Sequence, residues 1–292
     1  MIMKKVLITG RESFVGNAVK EYLRRPPFGF EVDDAETLNG EWKKYSFSGY
    51  DSVFHVAGIA HVNTGRLSKE VREQYFRINT DLAYDVALTA KNAGVKQFIF
   101  MSSSIVYGDA APIGKTKRIS ADTECAPTNV YGESKYQAER RLAALSDDGF
   151  KVVILRCPMI YGRGCKGNFP ELEKIAKVCL LFPKVKNERS LLYVGNLSEF
   201  VGRVIRNGDE GVFWPCNAED IDTSELVRLI AEAKGKKIAL VPGTQWLVKL
   251  ASRFSNKLYK AFGSLAYEPE LSAYKEDYRK YSLTESIKET VE

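Results

Sequence analysis

Along the first half of the chain, short apolar runs of β-prone residues recur at 4–8, 30–36, 52–56, 98–101 and 152–155. Between them, at 14–25, 70–93 and 130–145, apolar residues return at helical spacing. Such alternation predicts parallel strands joined by crossover helices. Beyond residue 157 the pattern breaks into shorter pieces, with helical stretches near 170–179, 197–206 and 224–234 and brief strands near 191–194, 212–214 and 238–241. No repeat, low-complexity tract or Pro/Gly linker separates the halves. The expectation is an α/β protein, with a doubly wound parallel sheet over residues 1–157 and a smaller α+β lobe over 158–292, packed as one unit. A ligand cleft is expected at the carboxyl ends of the parallel strands.

Composition narrows the classes without choosing one. Forty-three Lys and Arg against thirty-seven Asp and Glu leave a net charge of +6, dispersed along the chain. That mild excess suits small polyanionic ligands and does not argue for nucleic acid. The five cysteines (Cys125, Cys157, Cys165, Cys179, Cys216) form no Cys-x-x-Cys pair, which fits a reducing compartment and neither a disulfide framework nor a zinc site. With only His55 and His61, no histidine metal centre is expected, and His55 reads as a structural group beside a strand end. No apolar run approaches the roughly 18–20 residues that a membrane span requires. A soluble cytoplasmic protein is expected.

The first strand leads into Thr9-Gly10-Arg11-Glu12-Ser13-Phe14-Val15-Gly16 and then a helix. Strand, glycine-bearing turn and helix in that order make a dinucleotide phosphate site, with the pyrophosphate on the amides of the helix N-terminus. Gly10 allows the tight turn, and Gly16 allows the helix to pack closely on the strand. Ser13 stands where a second glycine is expected, and its hydroxyl could itself donate to a phosphate. An acidic residue after the second strand would take the adenosine ribose hydroxyls. Glu36 is the choice, with Asp33 and Asp34 as alternatives. Arg11 pulls toward a 2′-phosphate, so both NAD and NADP stay open.

Tyr131 and Lys135 lie four apart, one helical turn on a shared face. A phenol with a pKa near 10 is a poor base at neutral pH, and a neighbouring ammonium favours its ionised form. Ser103, twenty-eight residues upstream, can donate and accept, and so can hold a substrate oxygen as charge develops there.

These residues, with His55-Val56-Ala57-Gly58, Asn79 and Arg156-x-Pro158-x-x-Tyr161-Gly162, follow an order that resembles extended short-chain dehydrogenases/reductases, the NAD-dependent epimerase/dehydratase family. The resemblance covers nearly the whole chain and implies a Rossmann-type sheet binding NAD or NADP. It implies that Ser103, Tyr131 and Lys135 are catalytic, that Ala57, Gly58 and Asn79 line the coenzyme, and that Pro158 approaches the nicotinamide. Asn168-Phe169 and the run 187–197 resemble the segments of nucleotide-sugar 4-epimerases and UDP-N-acetylquinovosamine-type 4-ketoreductases that contact a sugar nucleotide. Hence Ser103, Ser104, Asn168 and Arg189 are substrate candidates, with Arg189 as a phosphate clamp. By the same resemblance a role in surface polysaccharide synthesis and a homodimer through the 70–93 and 130–145 helices are expected. Sugar-nucleotide dehydratases of the family carry an acidic pair where this chain has Ser104-Ile105, so dehydration is disfavoured. Two rival functions are a non-catalytic coenzyme sensor and a reductase of a small carbonyl compound without a nucleotide. The basic amphipathic stretch 245–262 is expected to cover the lobe's own core, with a lipid surface as the less favoured reading.

Overall fold

The computed structural model describes residues 3–37, 40–60 and 67–292, so His61 lies outside the described residues. The chain divides into two units, the first made of Met1–Gly108, Glu124–Cys157 and Leu197–Pro215. Its sheet contains β1 (Lys5–Thr9), β2 (Glu31–Ala35), β3 (Ser52–His55), β4 (Gln97–Ser103) and the strands Lys151–Cys157 and Gly211–Phe213. Every pairing in it is parallel, and β1 lies between β2 and β3. The strand order therefore reverses around β1. A crevice opens at such a reversal, outside the carboxyl ends of the strands.

Helices α1 (Phe14–Leu23), α2 (Lys69–Phe76), α3 (Leu82–Asn92) and α4 (Val130–Ala143) accompany this sheet. Leu7, Val53, Phe98, Phe100 and Ile154 of the strands pack with Ala83, Ala87 and Ala90 of α3 and with Ala138 and Leu142 of α4. The small alanines let α3 lie close on the bulky strand residues, as dense core packing requires. The helical pattern at 70–93 is realised as α2 and α3 joined by a π-type turn, Arg77–Asp81, which carries Asn79 and Thr80 inward. Such wide turns cost helical regularity and often mark functional positions.

The second unit comprises Asp109–Thr123, Pro158–Asn196 and Cys216–Glu292. It contains three two-stranded parallel pairs, Met159–Tyr161 with Leu191–Tyr193, Leu181–Pro183 with Ala239–Val241, and Arg118–Ile119 with Ala266–Tyr267. Its helices include Asn168–Val178, Thr223–Ala233 and Leu283–Val291.

Two local readings are corrected by long-range pairing. The strand near 212–214, assigned to the lobe from its position in the chain, is the edge of the main sheet, with Val212 opposite Ile154. The stretch 245–262 is two short helices, Gln245–Ala251 and Asn256–Phe262, interrupted by a turn at Ser252–Phe254. Periodicity reports local conformation and is blind to both effects.

Candidate active site

At the carboxyl end of β1 the chain turns sharply. Gly10 has φ +115°, and a Cβ there would lie 2.7 Å from the Ala57 backbone nitrogen. No other residue type fits such an approach in that conformation. Ser13 caps α1, its Oγ accepting from Gly16 N at 3.0 Å. A Cβ on Gly16 would lie 2.5 Å from that oxygen and 3.3 Å from Ile8. Ser13 thus replaces glycine by becoming the helix cap, and its hydroxyl proton is still available to donate. Phe14 and Val15 follow as the first, half-buried residues of the helix.

Beyond the end of β2, Glu36 Oε1 accepts from Thr37 N at 2.7 Å. The two alternative carboxylates are engaged elsewhere. Asp33 accepts from the Tyr50 hydroxyl at 2.7 Å. Asp34 is bound by Lys20 Nζ at 2.6 Å and Arg11 Nε at 2.8 Å, and those cations hold it below the usual carboxylate range. Arg11, the residue that pulled toward a 2′-phosphate and left NADP open, is held by Asp34.

Tyr131 and Ser103 meet because α4 starts hard against the turn that follows β4. Asn129 Oδ1 accepts from Gly132 N at 3.0 Å and sets the first turn of the helix. A Cβ on Gly132 would come within 2.8 Å of the Ile105 carbonyl oxygen, so the glycine permits the contact. Ser103 Oγ accepts from Ile105 N at 3.3 Å and also makes a hydrogen bond with the Tyr131 phenol. Ser104 and Ile105, both half-buried, continue the turn.

Lys135 is buried one turn further along α4. Its Nζ donates to the Met101 carbonyl at 2.7 Å and stands 4.4 Å from the centre of the Phe100 ring. At β3's end, a Cβ on Gly58 would lie 3.3 Å from that ammonium and 3.0 Å from Asn79 Oδ1, so space beside Lys135 stays open because residue 58 has no side chain. Ala57 is buried next to it. Asn79 is consumed in holding the turn, accepting from Ile59 N at 2.9 Å and donating to Ile59 O and Ser134 Oγ at 3.0 Å each.

The electrostatics differ from expectation in one respect. Burial pushes Tyr131 up to about 12, against the Ser103 hydrogen bond, and Lys135 is not among the groups acting on it. Burial likewise lowers Lys135 to about 8, opposed by the charge of Glu139. The ammonium is directed at a carbonyl rather than at the phenol, so the chain alone keeps Tyr131 protonated at neutral pH. His55, also buried, has Nδ1 2.8 Å from Thr9 Oγ1, stacks on Phe98 and Phe100, and is lowered to about 3 by burial and Lys135.

A buried polar network behind the pair was not visible in the sequence. Glu139, one turn beyond Lys135, receives Arg156 Nη2 at 2.7 Å and Arg156 Nε at 3.1 Å, and also the Ser102 hydroxyl. Arg156 Nη1 and Trp214 Nε1 both donate to the Tyr107 hydroxyl, at 2.8 and 2.7 Å. Neighbouring strands β4 and Lys151–Cys157 supply Ser102 and Arg156 in register, one opposite the other. The arginine of the Arg156-x-Pro158 motif was the only available signal, and its partner could not be guessed from spacing.

The remaining expected residues belong to the second unit. Pro158 is buried, and Asn168 is exposed at the start of its helix. Arg189 donates through Nη1 to the carbonyls of Lys260 and Ala261, both at 2.8 Å, and burial lowers it to about 10. Among the described residues no carboxylate pairs with its guanidinium; the neighbouring Glu188 is taken by Arg118 at 3.1 Å.

The chain is similar to several known proteins. The model of a family described as "NAD dependent epimerase/dehydratase family" matches residues 6–213. Over 275 residues the chain is 30% identical to UDP-glucose 4-epimerase of Vibrio cholerae, covering 87% of this chain and 83% of that one. It is 29% identical to N-acetyl-alpha-D-glucosaminyl-diphospho-ditrans,octacis-undecaprenol 4-epimerase of Escherichia coli O157:H7, over 71% of this chain and 60% of that protein. A solved structure of a dTDP-4-dehydrorhamnose reductase from Clostridium acetobutylicum superposes with a TM-score of 0.75 at 18% identity, covering 98% of each chain. At that identity the superposition speaks for the fold alone.

Proposed function

The chain belongs to the NAD dependent epimerase/dehydratase family, and we propose that it is a 4-epimerase of a UDP-linked sugar, working through Tyr131, Ser103 and Lys135. It uses NAD or NADP. The observation that carries the proposal is the hydrogen-bonded Ser103–Tyr131 pair with the Lys135 ammonium one turn away, beside the open space at Gly58. The cradle fits a dinucleotide: Gly10 and Gly16 leave no room for side chains, and the amides at the start of α1 would take the pyrophosphate. Glu36 would hold the adenosine ribose hydroxyls. Bound nicotinamide supplies a hydride acceptor and donor.

The protein's own groups handle the proton. Ionised by the positive charge that an oxidised nicotinamide would bring beside it, Tyr131 would take the proton from the C4 hydroxyl as that carbon is oxidised, and would return it to the same oxygen after the sugar has presented its other face. Ser103 donates to the C4 oxygen and holds it in place. Lys135 would hold the nicotinamide ribose through its ammonium. Arg189 takes the substrate diphosphate, for which a half-buried guanidinium without a carboxylate partner among the described residues is suited. Ile105 has no proton to exchange, so water elimination is not part of the chemistry.

One-way reduction of a UDP-4-keto sugar is the second reading, favoured by the protonated state of Tyr131, which is the form that donates to a carbonyl. Incubation with UDP-glucose, UDP-N-acetylglucosamine and a UDP-4-keto-6-deoxy sugar, followed by chromatography and nicotinamide absorbance, separates the two. Epimerisation leaves the absorbance unchanged, and reduction consumes one reduced coenzyme per product. Tyr131→Phe is expected to lower kcat by about 10²–10⁴-fold with the melting temperature unchanged. Equal turnover by wild type and variant, or none by either with any substrate, ends the proposal.

A further inference from the structure

The stretch 245–262 faces outward with apolar side chains. Phe254 is 87% exposed and Trp246 64%, and Leu247 and Leu250 are each about half exposed. Leu180 and Leu181 of the neighbouring strand segment add 77% and 66%. Scattered exposed apolar residues are ordinary, but a contiguous set of large ones marks a surface that meets something. Leu181 and Leu247 line one open apolar groove of about 510 Å³, together with Phe182, Val248, Leu258 and Phe262. This segment therefore has an apolar inner side, partly unfilled, and an apolar outer side. Val248 and Phe262 are buried, as covering the lobe's core requires, whereas Trp246, Leu250 and Phe254 are left to solvent.

Charge selects the occupant. Between Glu232 and Glu268 the sequence has seven Lys and Arg and neither Asp nor Glu, an excess larger than the whole chain's net +6. The exposed Lys249, Arg253 and Lys260 lie among the apolar residues, and among the described residues none has a carboxylate partner. A second copy of the chain docked on the same face would bring these cations against themselves. Aromatic and leucine side chains flanked by unpaired cations match an anionic bilayer, whose phosphates take the cations while its acyl region takes Trp246, Leu250 and Phe254. We propose that the segment 245–262 docks the protein on the surface of anionic membranes, lying in the interface without crossing it.

The test is flotation of the full-length protein with vesicles of phosphatidylcholine alone and of phosphatidylcholine with 40% phosphatidylglycerol, the composition being chosen for the assay. Wild type is expected to float with the anionic vesicles and to be released by raised salt. Trp246→Glu combined with Phe254→Glu is expected to lower the bound fraction at least tenfold, and Lys249→Glu combined with Arg253→Glu likewise, with melting temperatures kept. Lipids brominated on the acyl chain should quench Trp246, and Trp246→Phe should remove that quenching, which reads insertion without relying on a destabilising variant. No flotation of wild type with anionic vesicles, flotation of both double variants to the same extent as wild type, or a wild-type dimer that Phe254→Glu converts to monomer would overturn the proposal.

Discussion

Helix α4 and the stretch 245–262 are both amphipathic in sequence, yet they use their faces in opposite ways. Along α4 the buried positions include Ser134, Lys135 and Glu139, polar groups that a helix normally turns toward water. Along 245–262 it is Trp246, Leu250 and Phe254 that point outward. Burying a charge is unfavourable unless it is paired or hydrogen-bonded, and α4 meets that condition through Met101, Ser102 and Arg156. Polar groups held at such a cost are where chemistry is expected. Apolar groups left in water indicate a missing partner.

The contrast is broken most severely at Glu139. Glu139→Leu leaves Arg156 buried without its carboxylate and is expected to destabilise the fold by about 3–5 kcal/mol, read from the urea midpoint. Glu139→Gln keeps hydrogen bonds and should cost less. If the leucine variant is as stable as wild type, the network behind Lys135 is not what holds it.

The next largest effect is a pH dependence carried by His55. Its folded pKa of about 3 lies below the unfolded value of 6.5, so between those values the unfolded chain binds a proton that the folded chain does not. Its contribution to stability is therefore full above pH 6.5 and is lost as pH falls toward 3. At pH 5 the loss is about 2 kcal/mol relative to pH 7. His55→Gln should remove that part of the acid sensitivity, seen as a smaller difference between urea midpoints at the two pH values. An unchanged difference would mean that His55 is not buried neutral.

The smallest effect belongs to the outward face. Phe254→Ser is expected to change stability by no more than about 0.5 kcal/mol in the absence of lipid, since little apolar surface is lost from the core. A cost of 2 kcal/mol or more would show that the phenylalanine packs inward, and the comparison with α4 would fail.

How far the sequence could be read followed from how local each feature is. The turn at Gly10 to Gly16 and the spacing of Tyr131 and Lys135 are set within one or two turns of chain, and backbone sterics and helical periodicity make them readable. The parallel sheet was likewise legible from alternating patterns. The partners of Arg156 were not, because Ser102, Tyr107, Glu139 and Trp214 come together only through strand register and helix packing. The same holds for the edge strand Gly211–Phe213, whose place depends on pairing with residues about sixty positions earlier.

What the sequence determined alone was therefore the set of chemical groups and the local conformations that carry them: the glycine-bearing turn, the strand–helix alternation and a tyrosine one helical turn from a lysine. Tertiary structure decided what surrounds each group. It placed Lys135 against a carbonyl instead of the phenol, raised the Tyr131 pKa by burial, tied Arg11 to Asp34 and turned Trp246 and Phe254 toward solvent. The physical reason is that burial and charge–charge distance depend on what packs from elsewhere in the chain, whereas turn and helix geometry depend only on near neighbours.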